Sequence, residues 1–192
     1  AERVVFTVEG RNQTHAAGMW ANTDAKNRIE AGEVEFNVSS TGAGAANGMY
    51  AGTYESYDKG PGTNTITAGK VSMVVESDSS TAYGMKAESG ASGLSAGTNT
   101  ITSEGALEVD IQLLSSGVGM WATNDGGYNK IIGNSSAGTS DKINVGGGMY
   151  TDSQGKNLIQ TGSGNDVVSI QGIQGAGNTV STGAGDDAIT IN

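Results

Sequence analysis

The sequence predicts an all-β parallel solenoid, a β-helix of about six coils with three short strands each. Three ladders running in step predict it. A Gly-Met block followed by Trp, Tyr or Lys recurs as Gly18-Met19-Trp20, Gly48-Met49-Tyr50, Gly84-Met85-Lys86, Gly119-Met120-Trp121 and Gly148-Met149-Tyr150, its methionines 30, 36, 35 and 29 residues apart. An Asn-x-Ile/Val triplet follows each block, at Asn27, Asn64, Asn99, Asn129 and Asn157, and recurs once more at Asn178. After each triplet comes an apolar pair two residues apart: Phe36/Val38, Met73/Val75, Val109/Ile111, Ile143/Val145, Val168/Ile170 and Ile189/Ile191. Self-similarity at such a period marks stacked supersecondary units that bury a continuous core between neighbours.

Each ladder justifies one strand per coil. Alternation with period two puts both members of an apolar pair on one face of a strand. In the Gly-Met strand the position after Met accepts Trp20, Tyr50, Lys86, Trp121 and Tyr150, and a position that accepts Lys reaches solvent. Met therefore faces inward, with the small residue two positions on (Ala21, Ala51, Ala87, Ala122, Thr151), and suits a core whose coils differ in loop length. Asn in the third strand stands at one turn in successive coils. Its amide can bond the next coil and the neighbouring backbone, and Asn tolerates left-handed backbone. The turns between are rich in Gly, Ser and Asn. Six coils at the usual strand spacing make a rod on the order of 30 Å long.

Composition agrees with many tight turns. Gly supplies 32 of 192 residues without the every-third-position repeat of a collagen, and Pro occurs once, at Pro61. The formal charge is −10, which repels nucleic-acid phosphates and suits a cation or a solvated extracellular surface. With no cysteine, stability comes from stacking or from metal. No apolar run reaches the length of a membrane span, so membrane insertion is not expected. The whole chain, 1–192, reads as one solenoid domain.

Within it, residues 1–150 read as β-helix coils and 151–192 as something more specific. Thr161-Gly162-Ser163-Gly164-Asn165-Asp166-Val167-Val168-Ser169 and Thr182-Gly183-Ala184-Gly185-Asp186-Asp187-Ala188-Ile189-Thr190 resemble the glycine- and aspartate-rich nonapeptide of RTX proteins, the hemolysin-type calcium-binding β-roll. Each matches at all but the first position, where Thr replaces Gly. The resemblance implies calcium held between turns by Asp166 and Asp187, with backbone carbonyls around Gly162, Gly164, Gly183 and Gly185; calcium takes six to eight hard oxygens. Asp141 occupies the same place one coil earlier. The step from Asp166 to Asp187 is 21 residues where the family has eighteen, and Asn157 and Asn178 stand at the opposite turn where the family has Asp. In the first three coils the Asp place falls to Val34, Val71 and Leu107, which offer no oxygen. The N-terminal part is more similar to the parallel β-helices of bacterial adhesin and autotransporter passengers.

Enzymatic chemistry is not expected. The chain has one His, His15, and three Arg (Arg3, Arg11, Arg28), all near the N-terminus, and Glu33 and Glu35 beside Arg28 and Glu30 read as a solvated strand edge. The outward file Trp20, Tyr50, Lys86, Trp121 and Tyr150 forms a ligand or lateral contact stripe, with Lys86 as a cation–π neighbour of the rings. The function these features imply is a secreted bacterial surface protein, adhesin or self-assembling filament subunit stabilised by calcium. The alternative is a calcium-dependent carbohydrate-binding module that stacks surface glycans on the exposed aromatics. The chain opens on the strand Val4-Val5-Phe6-Thr7-Val8 and closes on Ala188-Ile189-Thr190-Ile191-Asn192, with no capping helix evident. The expected partner is a second copy, joined head to tail through these terminal strands.

Overall fold

The computed structural model describes residues 1–11, 15–21, 26–52, 61–78, 80–88, 96–123 and 126–192. Its strands wind as six successive coils. The first is β1 (Arg3–Arg11), β2 (Ala16–Ala21) and β3 (Lys26–Glu30). The second is β4 (Glu33–Thr41), β5 (Ala46–Ala51) and β6 (Thr63–Thr67), and the third β7 (Lys70–Ser77), β8 (Ala82–Ala87) and β9 (Thr98–Thr102). The fourth is β10 (Glu108–Leu113), β11 (Gly117–Ala122) and β12 (Tyr128–Ile132). The fifth is β13 (Lys142–Val145), β14 (Met149–Thr151) and β15 (Lys156–Gln160), and the sixth β16 (Val167–Ile170), β17 (Ile173–Gln174) and β18 (Gly177–Ser181). A last strand, β19 (Ala188–Ile191), begins a seventh turn.

Like strands stack in parallel across coils. Sheet A runs β1-β4-β7-β10-β13-β16-β19, sheet B β2-β5-β8-β11-β14-β17 and sheet C β3-β6-β9-β12-β15-β18. The predicted three-stranded β-solenoid is the observed fold. No helix among the described residues is long and apolar enough to cross a membrane.

The core lies along the axis between the three sheets. Met49, Met85, Met120 and Met149 are fully buried, stacked in register on sheet B, and Ile66, Ile101, Ile131 and Ile159 fill it from sheet C. In sheet A two core rows run the whole length: Val4, Val34, Val71, Val109, Ile143, Val168, Ile189 and Phe6, Phe36, Met73, Ile111, Val145, Ile170, Ile191. This register corrects the apolar pairs read from sequence. Val34 and Phe36 align with Val109 and Ile111, so Phe36/Val38 and Met73/Val75 lie one alternation out of step with the later four pairs. The longer early strands carry three inward residues, and sequence spacing alone does not say which two continue.

Coils approach closely enough to require glycine at the Gly-Met blocks. A Cβ on Gly84 would stand 2.5 Å from the Gly119 carbonyl oxygen, and one on Gly48 equally close to that of Gly84. The rod also narrows. Successive members of the first sheet A core row are 30, 37, 38, 34, 25 and 21 residues apart, so the last coils have the shortest perimeter.

Candidate functional site

Three arrangements bring chemistry-bearing side chains together. They are the aspartate column at the entry to sheet A, the aromatic file on sheet B and the two ends of the rod.

The aspartate column begins where the coils narrow. Asp141, Asp166 and Asp187 each precede the first residue of a sheet A strand and stack in one row with Leu107. Register corrects the earlier members of this row: the second and third coils place Gly32 and Gly69 there, while Val34 and Val71 lie two residues on, in the core row. The carboxylates point at backbone N–H groups. Asp141 Oδ1 accepts from the Leu107 N–H at 2.7 Å, and its Oδ2 accepts from Ser135 N–H at 3.1 Å and Gly162 N–H at 2.9 Å. Asp166 Oδ1 accepts from the Asp141 N–H at 2.7 Å and from the Ser135 hydroxyl at 2.9 Å. Asp187 Oδ1 accepts from the Asp166 N–H at 2.9 Å. Each aspartate thus receives the main-chain proton of the residue in its own row one coil earlier. Asp141 and Asp166 are completely buried. Gly133 leaves the space the Asp141 carboxylate fills, since a Cβ there would overlap it. Asp166 Oδ2 receives no hydrogen bond from a described residue.

Ser135 is the member that sequence reasoning missed. Its hydroxyl donates to Asp166 and accepts from the Gly164 N–H at 3.2 Å, and its carbonyl accepts from Ser163. Only its place after the fourth coil, opposite the nonapeptide turn, could have pointed to it.

Calcium takes six to eight oxygen ligands, whereas the carboxylate oxygens that carry hydrogen bonds at this corner meet N–H and hydroxyl donors. Asp141 has both oxygens engaged by N–H donors, and no three acidic or histidine side chains converge on a common point among the described residues. The glycines do serve close packing. Gly183 has a left-handed φ of 72°, and a Cβ there would overlap the Gly162 carbonyl oxygen, as one on Gly185 would overlap that of Gly164.

The aromatic file is in register, Trp20, Tyr50, Lys86, Trp121 and Tyr150 occupying one row of sheet B. It is a packed seam rather than an open stripe. Tyr50 is 2% exposed and donates its hydroxyl to Glu88 Oε2 at 2.9 Å. Lys86 Nζ pairs with Glu88 Oε1 at 2.9 Å and lies 4.7–5.4 Å from the ring centroids of Tyr50, Tyr83 and Trp121. Tyr83, outside the predicted file, closes this cage against Trp121 with centroids 5.0 Å apart. Trp20 packs edge-on against Tyr50 and is half-exposed. The expectation of an outward, exposed file holds at Trp20 and not at Tyr50, which is buried, while Lys86, Trp121 and Tyr150 are partly covered.

Elsewhere the predicted residues are dispersed. His15 Nδ1 accepts the Ala45 N–H at 3.1 Å, linking the first two coils. Glu33 and Glu35 face Arg3 across sheet A, whereas Arg28 pairs with Glu30 on sheet C. The Asn37 amide, then the Arg3 guanidinium, hold the Glu35 carboxyl below the usual carboxylate range, and Arg11 does the same to Glu9.

The ends of the rod differ from its flanks. Ile189 and Ile191 occupy core rows yet are 48% and 47% exposed, whereas Val168 and Ile170 beneath them are buried. The Asn ladder has a direction. Asn27, Asn64, Asn99, Asn129 and Asn157 each donate Nδ2 to the Oδ1 of the next Asn at 2.8–2.9 Å, so the column runs with donors pointing toward Asn178. No protein-family model, curated protein or solved structure matches the chain.

Proposed function

We propose that this chain is a structural rod of an extracellular bacterial surface or filament, acting by end-to-end stacking and not by catalysis. The observation that supports this reading is the unbroken stack: both apolar rows of sheet A keep one register from β1 to β19, so a further strand of the same pattern adds to them without a change of register. Unpaired strand edges with open apolar rows are templates for pairing with another chain. The flanks support the same reading. One depression among the described residues, about 280 Å³ along the outside of sheet A, is shallow and is lined by Glu108, Asp110 and Lys142 with Asn144, Val167 and Ser169. The acidic, cysteine-free composition suits a solvated surface outside the cell.

The partner is a second copy in the same direction. Extending sheet A past β19 with the next copy's β1 keeps both core rows: Val4 falls on Ile189 and Phe6 on Ile191, with Arg3 on Ala188. Sheets B and C stop one strand before sheet A, so β19 carries the contact and the assembly depends on concentration.

Sedimentation of the purified chain over a wide concentration range tests this. Polymers that grow with concentration, and that Ile191→Lys abolishes without lowering the melting temperature, are expected. A wild-type chain that remains monomeric at its highest soluble concentration overturns the reading.

A further inference from the structure

We infer that the aspartate column is an anion ladder seated on main-chain N–H groups, and that it closes the narrow coils without calcium. Around Asp141 three N–H donors converge, from Leu107, Ser135 and Gly162, and they come from three different coils. Converging N–H dipoles form a concavity that stabilises negative charge and repels a cation. Here the charge comes from the chain's own side chain, one coil at a time. The bonds are charge-assisted and roughly twice as strong as neutral ones.

The donors need such a partner. Where a coil tightens into a corner, the N–H that enters sheet A leaves the strand ladder and faces the interior, and a buried N–H without an acceptor is costly. Leu107, Asp141 and Asp166 all have this N–H satisfied by the aspartate of the following coil. Ser135 ties two rungs together, bonding Asp141 through its N–H and Asp166 through its hydroxyl. A metal site would instead present these carboxylate oxygens to a shared cation with the donors turned away.

The two arrangements differ in how substitutions respond to calcium. Asp141→Asn keeps the shape but turns an acceptor into a donor that faces N–H groups. Ser135→Ala removes one donor and one acceptor, and Asp187→Asn alters only the partly exposed last rung and leaves the fold intact. Melting temperatures of wild type and the three variants are measured in millimolar calcium and in chelator, with calcium titrated calorimetrically into the wild type.

The ladder predicts that Asp141→Asn lowers the melting temperature by about 5–10 °C, Ser135→Ala by about 3–5 °C and Asp187→Asn by less, each equally in both buffers. Wild type shifts by no more than about 2 °C between buffers. A wild-type melting temperature that rises by about 10 °C or more with calcium, an increase that Asp187→Asn diminishes, overturns the inference. If Asp141→Asn fails to fold, the remaining variants and the wild-type titration still decide between the two.

Discussion

The second to fourth coils and the fifth and sixth solve the same packing problem with different materials. In the wide coils, with steps of 37, 38 and 34 residues, the interior is filled by bulky side chains: Phe36, Met73, Met49, Met85 and Met120 are all fully buried. Their corners enter sheet A through Gly32, Gly69 and Leu107. In the narrow coils, with steps of 25 and 21, the sheet A rows hold only Val and Ile, the buried methionine row ends at Met149, and the corner residue becomes Asp. A shorter perimeter leaves less volume to fill but bends the chain more sharply, which turns main-chain N–H groups inward. Apolar residues solve the first problem and cannot solve the second. Perimeter, then, decides whether a coil is held mainly by its core or by its corners.

The largest expected effect tests the core side of this comparison. Met85→Asp in the middle of the wide coils buries an unpaired charge among Met49 and Met120, and should cost about 4–5 kcal/mol or unfold the rod. Ile189→Asp makes the same chemical change in a core row at the half-exposed end, where water reaches the carboxylate, and should cost about 1 kcal/mol. Urea denaturation of both variants measures the ratio. Equal losses would show that the narrow end is as closed as the middle and that the exposed rows are no docking face.

A smaller effect separates the middle from the end of the Asn column, a feature that the wide and narrow coils share. Asn99 donates to the Trp121 carbonyl at 2.8 Å and to Asn129 Oδ1 at 2.9 Å, and Asn64 donates to its Oδ1 at 2.9 Å. Asn99→Asp keeps the acceptor, loses both donors and sets a carboxylate oxygen against two other oxygens, at a cost of about 3 kcal/mol. Asn178→Asp, on the exposed last rung, should cost less than about 0.5 kcal/mol. Hydrogen exchange locates the damage: loss of protection should spread to the coils on both sides of Asn99 and stay within the sixth coil for Asn178.

Much of this architecture was legible because its repeats are chemical. Asn at six matching positions and Met at five needed no alignment to be seen, and the structure stacks both in register, the Asn inside the strands of sheet C where the sequence had suggested a turn. What escaped the sequence depends on register or on a partner far along the chain. The choice among Val34, Phe36 and Val38 was ambiguous because all three alternate correctly. Tyr83 could not be tied to Lys86 and Trp121 by spacing, since its ring arrives from outside the repeated position. The aspartates were visible, but the nonapeptide pattern names the residue and not the atom that its carboxylate meets; Leu107 and Ser135, which supply the N–H groups, carry no motif.

The smallest effect concerns a row that sequence reading also missed and that likewise stops where the coils narrow. On the outer face of sheet A, Arg3, Glu33, Lys70, Glu108 and Lys142 stand opposite one another in successive coils with alternating sign, and the row then continues as Val167 and Ala188. Arg3 pairs with Glu33 at 3.4 Å and Lys70 with Glu108 at 3.4 Å, both largely exposed. Exposed pairs of this kind contribute little, yet like charges directly opposite are unfavourable, so a slip by one coil would set three repulsions (Arg3/Lys70, Glu33/Glu108, Lys70/Lys142) against the strand ladder. Glu33→Lys places a cation between Arg3 and Lys70 and should cost about 0.5–1 kcal/mol at low salt. Lys142→Glu, with Glu108 on one side and Val167 on the other, meets a single like charge and should cost about half as much. Both losses should fade in about 1 M salt, where the screening length falls to roughly 3 Å. If Lys142→Glu proves the more damaging, or if salt leaves either loss unchanged, the row is not electrostatic, and the narrow coils are held at that edge by contacts other than charge.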